Sequence, residues 1–243
     1  MTQPPVATPN RAPDERIICA LDVPTPAEAA ALVERVQDAV GFYKIGLQLF
    51  AAGGMGLAHD LKAQGRKVFL DWKLHDIGAT VEKATAGLAG SGCDLLTVHA
   101  RPQVMAAARR GAEGSSLKVL GVTVLTSLTA EDLAADDHSL PPAELVELRV
   151  RQALDAGLDG VVSSPHEAAR ARALAGAAGR ADFLVVTPGV RPVGAALDDQ
   201  ARAATPAAAL QAGATHLVIG RPITAAADPR AAALGIAQDI ALI

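Results

Sequence analysis

Short apolar runs alternate along the chain with alanine-rich stretches of helical periodicity, and this alternation restricts the possible folds more than any other feature. Eight runs are short, apolar and rich in β-branched residues, as buried strands are. Strand–helix repetition favours parallel strands joined by right-handed crossovers. Eight such units in 243 residues predict an α/β fold, a single (β/α)8 TIM barrel, with a doubly wound open sheet as the alternative. The predicted strands cover residues 17–22, 42–46, 67–71, 94–99, 118–126, 160–163, 183–187 and 216–220.

Helix start and stop signals lie between these runs. Thr25-Pro26-Ala27-Glu28 has the pattern of a capping box with proline at the first helical position. The Ala-Gly steps at 156–157 and 212–213 are typical of helix ends. The Pro-rich segment 1–13 is predicted to be a disordered tail, and residues 14–243 to be one barrel domain. Predicted helical stretches include 26–39, 54–64, 79–90, 142–156, 166–175 and 205–212.

Composition excludes several classes of protein. The formal net charge is −4, there is no long basic run, and aromatic residues make up 2%, so we expect no nucleic-acid partner. No apolar run is long enough to span a bilayer, so we expect no membrane partner. Cys19 and Cys93 lie in apolar runs without a C-x-x-C motif, which favours buried thiols in a reducing cytoplasm. The six histidines lack metal-ligand spacing, so no metal site is expected.

Charged side chains stand where the predicted strands end, and in a (β/α)8 barrel these ends converge on one face. Asp22 ends the first strand, Lys44 lies in the second, and Asp71 and Lys73 follow the third. Because side chains alternate along a strand, Asp71 and Lys73 should point the same way. An inward-facing ammonium such as Lys44 must be paired or hydrated. The array of alternating charge therefore predicts a reactive site, and a purely structural ion pair is the alternative.

A second polar cluster is predicted in the last third of the chain. T-P-G-V-R and G-R-P-I-T follow the seventh and eighth predicted strands, whose loops commonly bind phosphate in this fold. Gly189 and Gly220 let backbone amides approach an anion, and Arg191 and Arg221 supply forked donors. The long connection 189–204 is a candidate lid.

Trp72 and Leu74 should point away from Asp71 and Lys73 and pack beneath the helices. We interpret the neighbouring His75 as a residue that contacts backbone or a helix rather than substrate. His99, at the end of the fourth predicted strand, is either a hydrogen-bonded core histidine or a site residue.

The order and register of these motifs over residues 16–240 resemble those of the orotidine 5′-phosphate decarboxylase family. D-x-K-x-x-D is shared with a wider superfamily, whereas D-x-K-L-H-D-I with L-T-S and T-P-G-x-R is more specific. Where the family commonly has Pro-Asn after the isoleucine, this chain has Gly78-Ala79 at the start of the next predicted helix. The matching segments are A-L-D (20–22), Y-K-I-G (43–46), D-W-K-L-H-D-I (71–77), L-T-S (125–127), S-P-H-E-A (164–168), T-P-G-V-R (187–191), D-Q (199–200) and G-R-P-I-T (220–224).

The resemblance implies decarboxylation of orotidine 5′-phosphate to UMP, a step of pyrimidine biosynthesis, without metal or cofactor. It implies a catalytic tetrad of Lys44, Asp71, Lys73 and Asp76, in which Lys73 is the proton donor. It also implies that Asp76 enters the neighbouring subunit's site, which would make the protein a homodimer with shared active sites.

The resemblance further assigns residues to each part of the substrate. Asp22 and Lys44 would hold ribose hydroxyls, joined by Thr80 from the partner, while Thr126 and Ser127 would hold the pyrimidine. The complete implied set of substrate-binding residues is Asp22, Lys44, Thr80, Thr126, Ser127, Pro188, Arg191, Gln200, Gly220 and Arg221.

Two other functions remain open at this point. A Mg²⁺-dependent sugar-phosphate decarboxylase or aldolase of the same superfamily resembles this site but has a glutamate where this chain has Lys44. A non-catalytic sensor of a phosphorylated ligand would need Arg191 and Arg221 but not the tetrad.

Overall fold

A computed structural model describes residues 12–192, 204–241 and 243, and its eight parallel strands form one closed barrel. Each strand pairs with the next in chain order, and the last pairs with the first. The predicted (β/α)8 barrel is therefore confirmed, and the open sheet is excluded. The strands are β1 (Ile17–Ala20), β2 (Phe42–Gly46), β3 (Lys67–Leu74), β4 (Leu95–His99), β5 (Lys118–Val122), β6 (Gly160–Val162), β7 (Leu184–Thr187) and β8 (His216–Ile219).

Helices surround the barrel, and every predicted helical stretch corresponds to one of them. Five further helices, several of them short, were not among the predicted stretches. No helix among the described residues is long and apolar enough to cross a membrane. The helices are α1 (Pro26–Val36), α2 (Leu47–Ala51), α3 (Gly54–Ala63), α4 (Gly78–Ala89), α5 (Pro102–Gly111), α6 (Ala130–Ala135), α7 (Pro142–Asp155), α8 (Ala168–Ala177), α9 (Pro206–Gln211), α10 (Arg221–Thr224) and α11 (Pro229–Ile240).

The helix-capping signals act largely as predicted. The Thr25 hydroxyl accepts a hydrogen bond from the Glu28 amide at 3.2 Å and donates one to the Glu28 carboxylate, so that carboxylate binds the hydroxyl rather than the backbone. Gly157 and Gly213 follow α7 and α9 with φ of 70° and 103°, a conformation that favours glycine. A complete capping box that was not predicted begins α6 at Thr129.

The core consists of an inner and an outer layer. The outer layer packs the helices against the strands, and Trp72 and Leu74 belong to it, as predicted. Cys19 and Cys93 are buried free thiols, also as predicted. The inner layer fills the barrel and contains Ile18, Ala20, Phe42, Phe69, Leu95, Leu120, Val186 and Val218.

Two predicted strand ends were wrong by three residues or more. β5 was expected to continue to Thr126 but ends at Val122, because its neighbours β4 and β6 offer no pairing beyond that residue. β3 was expected to end at Asp71 but continues to Leu74, with a register shift against β4 between Leu70 and Leu74. This irregularity lies at the residues that were predicted to be reactive.

Candidate active site

One large cavity opens at the carboxyl ends of the strands and has a volume of about 630 Å³. Its walls combine apolar side chains from the inner core with polar groups from six strands or strand ends. Nine of the predicted site residues line it: Asp22, Lys44, Asp71, Lys73, Thr126, Pro188, Arg191, Gly220 and Arg221.

Four of these side chains form a continuous array of alternating charge. The Lys44 Nζ atom lies 2.8 Å from Asp22 Oδ1 and 3.5 Å from Asp71 Oδ2. The Lys73 Nζ atom lies 2.8 Å from Asp71 Oδ1. Lys44 is 6% exposed, so its charge depends on the two flanking carboxylates for stabilisation. The predicted pairing of strand-end charges is therefore present in the structure.

Asp71 is the carboxylate of the array that lies beside both ammonium groups. Burial by itself raises the pKa of Asp71, but the ammonium groups of Lys44 and Lys73 and hydrogen bonds from Lys73 and Thr97 outweigh it. The net effect places the pKa of Asp71 below its ordinary value. Asp71 is therefore ionised at neutral pH, which maintains a fixed negative charge beside the Lys73 ammonium.

Thr97 is a site residue that sequence reasoning missed. Its buried hydroxyl accepts a hydrogen bond from the Lys73 backbone N–H and donates one to Asp71 Oδ1, each at 3.0 Å. It therefore ties the irregular end of β3 to β4 and fixes Asp71 relative to Lys73. The available signal was a lone hydroxyl within the apolar run L-L-T-V.

Gly46 has no side chain and therefore leaves room for the ion pair between Asp22 and Lys44. A Cβ atom at this position would lie 3.0 Å from Asp22 Oδ1 and 3.0 Å from Lys44 Nζ. A larger residue at the end of β2 would therefore displace the ion pair. The sequence contained this glycine within Y-K-I-G, but its packing role depends on tertiary contacts.

The opposite end of the cavity is cationic. Arg191 is buried, its Nη1 atom donates to the Val190 carbonyl, and its Nε atom has no hydrogen-bond partner among the described residues. Gly189 precedes it with a φ of 76°, and Arg221 opens the short helix α10 after Gly220. A buried guanidinium with an unused donor beside a cavity suits an anionic ligand group.

Several predicted site residues do not line this cavity. Asp76 is exposed, and its carboxylate accepts a hydrogen bond from the Ile77 amide at 2.6 Å. Thr80 and Ser127 are also exposed. Gln200 and most of the candidate lid lie outside the described residues.

His75 and His99 lie side by side, outside the large cavity. The ring centroid of His75 lies 5.1 Å from that of His99, and neither ring forms a hydrogen bond among the described residues. The hydrogen-bonded core alternative for His99 is therefore not met, and His75, which lies outside the large cavity, keeps its interpretation as a residue that does not contact substrate. Both line a smaller neighbouring cavity.

Fold and site together place the chain in the class of (β/α)8-barrel proteins with a charged site at the carboxyl ends of the strands. A family model described as "Orotidine 5'-phosphate decarboxylase / HUMPS family" matches residues 15–236. The chain belongs to this family.

Individual relatives are similar over nearly their whole length. A protein of Caulobacter vibrioides named orotidine 5′-phosphate decarboxylase is 65% identical over 228 residues, which cover 94% of this chain and 98% of the relative. A protein of Cereibacter sphaeroides with the same name is 54% identical over 231 residues, which cover 93% of this chain and 97% of the relative. The crystal structure of orotidine 5′-phosphate decarboxylase from Lactobacillus acidophilus is 35% identical, with a TM-score of 0.80, covering 94% of this chain and all of that one.

Proposed function

We propose that the protein decarboxylates orotidine 5′-phosphate to UMP and CO₂ in pyrimidine biosynthesis. The observation that carries this proposal is the array Asp22–Lys44–Asp71–Lys73 in one cavity with Arg191 and Arg221. The array supplies a cation beside a fixed anion, and the arginines supply an anion-binding end. Family membership and the names of the relatives agree with this activity.

The cavity suggests how the substrate would lie. Arg191 and Arg221 would bind the phosphate through forked guanidinium donors. Asp22 and Lys44 would hold the ribose, and Thr126 would contact the pyrimidine, which places C6 near Lys73. Binding energy from the phosphate, remote from C6, can offset the cost of an unfavourable contact at the reacting carboxylate. Pro188 and Gly220 line the cavity beside the arginines and would contribute to the same end, with Gln200 and Ser127 as additional proposed contacts.

The proposed step breaks the bond between C6 and the carboxylate carbon. The bonding pair stays on C6 as a carbanion, and CO₂ leaves. The Lys73 ammonium stabilises this charge and then donates a proton to C6, so that a neutral amine remains and regains its proton from water.

Asp71 would lie near the substrate carboxylate before that step. At ~4 Å and an effective dielectric constant of about 20, two like charges repel by roughly 4 kcal/mol. Loss of CO₂ relieves this repulsion, while the attraction between Lys73 and C6 grows. Asp71 therefore contributes in two ways: it repels the ground state and holds the Lys73 ammonium in place.

We also propose a homodimer in which Asp76 and Thr80 complete the partner's site. Both side chains are exposed and lie outside their own chain's cavity. Ile77, which is adjacent to Asp76, is 69% exposed, and Leu47, which lines the cavity, is 53% exposed, so large apolar side chains are exposed both beside Asp76 and at the cavity. A second copy of the chain would bury that surface.

A cytoplasmic location is proposed from the chemistry of the cysteines. Burial, followed by the charge of Asp22, raises the pKa of Cys19 to about 12 despite the opposing effect of Lys44. Such a thiol stays protonated and unreactive. Two buried, unpaired thiols are typical of proteins in a reducing compartment.

A Mg²⁺-dependent sugar-phosphate reaction is disfavoured by Lys44. Its ammonium lies between Asp22 and Asp71, where a divalent cation would otherwise need carboxylate ligands. A non-catalytic sensor is disfavoured because binding a phosphate alone would not require the array.

The proposal is tested by incubating purified protein with orotidine 5′-phosphate before and after treatment with EDTA. We expect loss of the substrate's ultraviolet absorbance and release of CO₂ at the same rate in both samples, because Lys73 supplies the electrophile and the proton. Activity that requires added Mg²⁺ would support the sugar-phosphate alternative. Binding of UMP without turnover of orotidine 5′-phosphate would support the sensor.

A further inference from the structure

A second cavity of about 170 Å³ lies next to the active-site cavity, and the two share Val122 and Leu125 as a common wall. This smaller cavity is lined by three of the six histidines and by two arginines. They come from the ends of β3 and β4, from the segment after α6, and from α7. The polar lining residues are His75, His99, Arg101, His138, Arg149 and Asp136.

His138 lies between the two guanidinium groups. Its Nε2 atom is 3.5 Å from Arg101 Nη2 and 3.3 Å from Arg149 Nη2. Because a guanidinium only donates, Nε2 must accept, which requires a neutral imidazole with its proton on Nδ1. A neutral side chain therefore bridges two cations without compensating their charge.

Neither guanidinium forms an ion pair with a carboxylate within the described part of the chain. Arg149 is part-buried and also donates to the Thr123 carbonyl. Burial and then the charge of Arg101 lower the pKa of Arg149. Asp136 lines the cavity but pairs with neither arginine, so the cavity carries an excess of positive charge.

The excess of positive charge in this cavity also affects the pKa of His99. Burial is the largest cause that lowers its pKa, followed by the nearby His75, Lys73, Arg149 and Arg101. Partly buried cations of this kind are stable when an anion pairs with them.

We propose that this second cavity is a binding site for a free small oxyanion of the size of inorganic phosphate. Arg101 and Arg149 would supply forked donors to its oxygens, and His75 and His99 would supply ring N–H groups. The volume suits a single tetrahedral anion and falls below the roughly 300 Å³ typical of drug-sized ligands, which excludes a nucleotide. The site is distinct from Arg191 and Arg221, which lie in the other cavity.

The test is a titration of the full chain with inorganic phosphate at pH 7, followed by NMR of isotope-labelled histidine rings at constant ionic strength set with chloride. We expect saturable shifts of His75, His99 and His138. His59, His166 and His216 lie elsewhere and serve as internal controls that should not shift. Equal shifts of all six rings would overturn the proposal, because they would indicate an effect of ions in general.

Variants separate this site from the active-site arginines. In Arg101→Gln, and in Arg149→Gln if it folds, the Kd for phosphate measured at the cluster histidines should rise by about tenfold or more, because a charged hydrogen bond is lost. In Arg221→Gln the same shifts should persist. Shifts that vanish in Arg221→Gln but persist in Arg101→Gln would assign the signal to the active site and overturn the proposal.

A carboxylate from a second copy of the chain is the competing occupant. In that case phosphate leaves the three rings unchanged, whereas dilution of the protein shifts them, and that result would overturn the free-oxyanion proposal. Because the readout is binding and not turnover, it is independent of whether the protein decarboxylates orotidine 5′-phosphate.

Discussion

Lys73 has a φ of 50°, in the left-handed region that few residues other than glycine adopt. The hydrogen bond from its backbone N–H to Thr97 holds this conformation, and its Nζ atom reaches Asp71. Backbone strain at this position therefore supports a role for Lys73 in chemistry rather than in folding alone.

Lys73→Ala should reduce kcat by at least about 10³-fold, because it removes both the proposed proton donor and the cation beside C6. Alanine keeps a Cβ atom, so the backbone at φ 50° is not relieved, and Asp71 keeps its ion pair with Lys44. UMP binding, measured by calorimetry, should persist.

Lys83→Ala is the matched control for that experiment, because Lys83 is an exposed lysine on α4. We expect this control to keep wild-type kcat and UMP affinity. Turnover retained in Lys73→Ala would refute the assigned role of Lys73.

Helix α4 begins two residues after Asp76 and packs closely on α5, and this contact depends on Gly111 at the end of α5. A Cβ atom at Gly111 would collide with the Glu82 carbonyl oxygen and would lie 2.8 Å from Thr85 Cβ. Because Glu82 and Thr85 belong to α4, the absence of a side chain at one residue sets the distance between the two helices. The placement of Asp76 and Thr80 therefore depends on an element that carries no site residue.

Gly111→Ala should lower the free energy of unfolding by about 1–3 kcal/mol, the usual cost of overpacking. Gly176→Ala is the matched comparison, since Gly176 is also near a helix C-terminus but has nothing within 4 Å of the added Cβ atom. It should raise the free energy of unfolding by roughly 0.5–1 kcal/mol. Urea denaturation measures both; equal effects would show that Gly111 is not a packing constraint.

At the scale of the whole molecule, the barrel gathers residues from Asp22 to Arg221 into one cavity but leaves Asp76 and Thr80 outside it. Ser127 is also exposed and outside the cavity, but Asp76 and Thr80 are the two residues that the family resemblance assigns to a neighbouring subunit's site. The proposed homodimer accounts for both, because each subunit would then lend Asp76 to the other.

Mixing inactive Lys73→Ala and Asp76→Ala proteins should restore part of the activity. In a mixed dimer, one site carries both substitutions and the other carries neither. With random exchange, we expect about one quarter of wild-type activity, because half of the dimers are mixed and each has one intact site of two. Mixing two preparations of Lys73→Ala is the control. No recovery despite demonstrated subunit exchange would reject the shared site.

Much of the fold could be predicted because it depends on local patterns. The eight apolar runs located all eight strands, and Thr25 and the Ala-Gly steps located helix ends. Strand ends were less predictable. β5 ends at Val122 because β4 and β6 offer no pairing beyond it, and the residues of β5 do not specify where those neighbouring strands end. The identities of Asp22, Lys44, Asp71 and Lys73 were predictable because strand ends converge in this fold.

Periodicity and motif order are properties of neighbouring residues, and they were enough to predict the barrel, the charged residues at its carboxyl ends and the resemblance to one family. How those groups contact one another became clear from the three-dimensional structure. It revealed the Thr97 bridge, the space left by Gly46 and the cluster around His138. Each joins residues from different strands or helices, and such distances follow from the closure of the barrel, which no local pattern specifies.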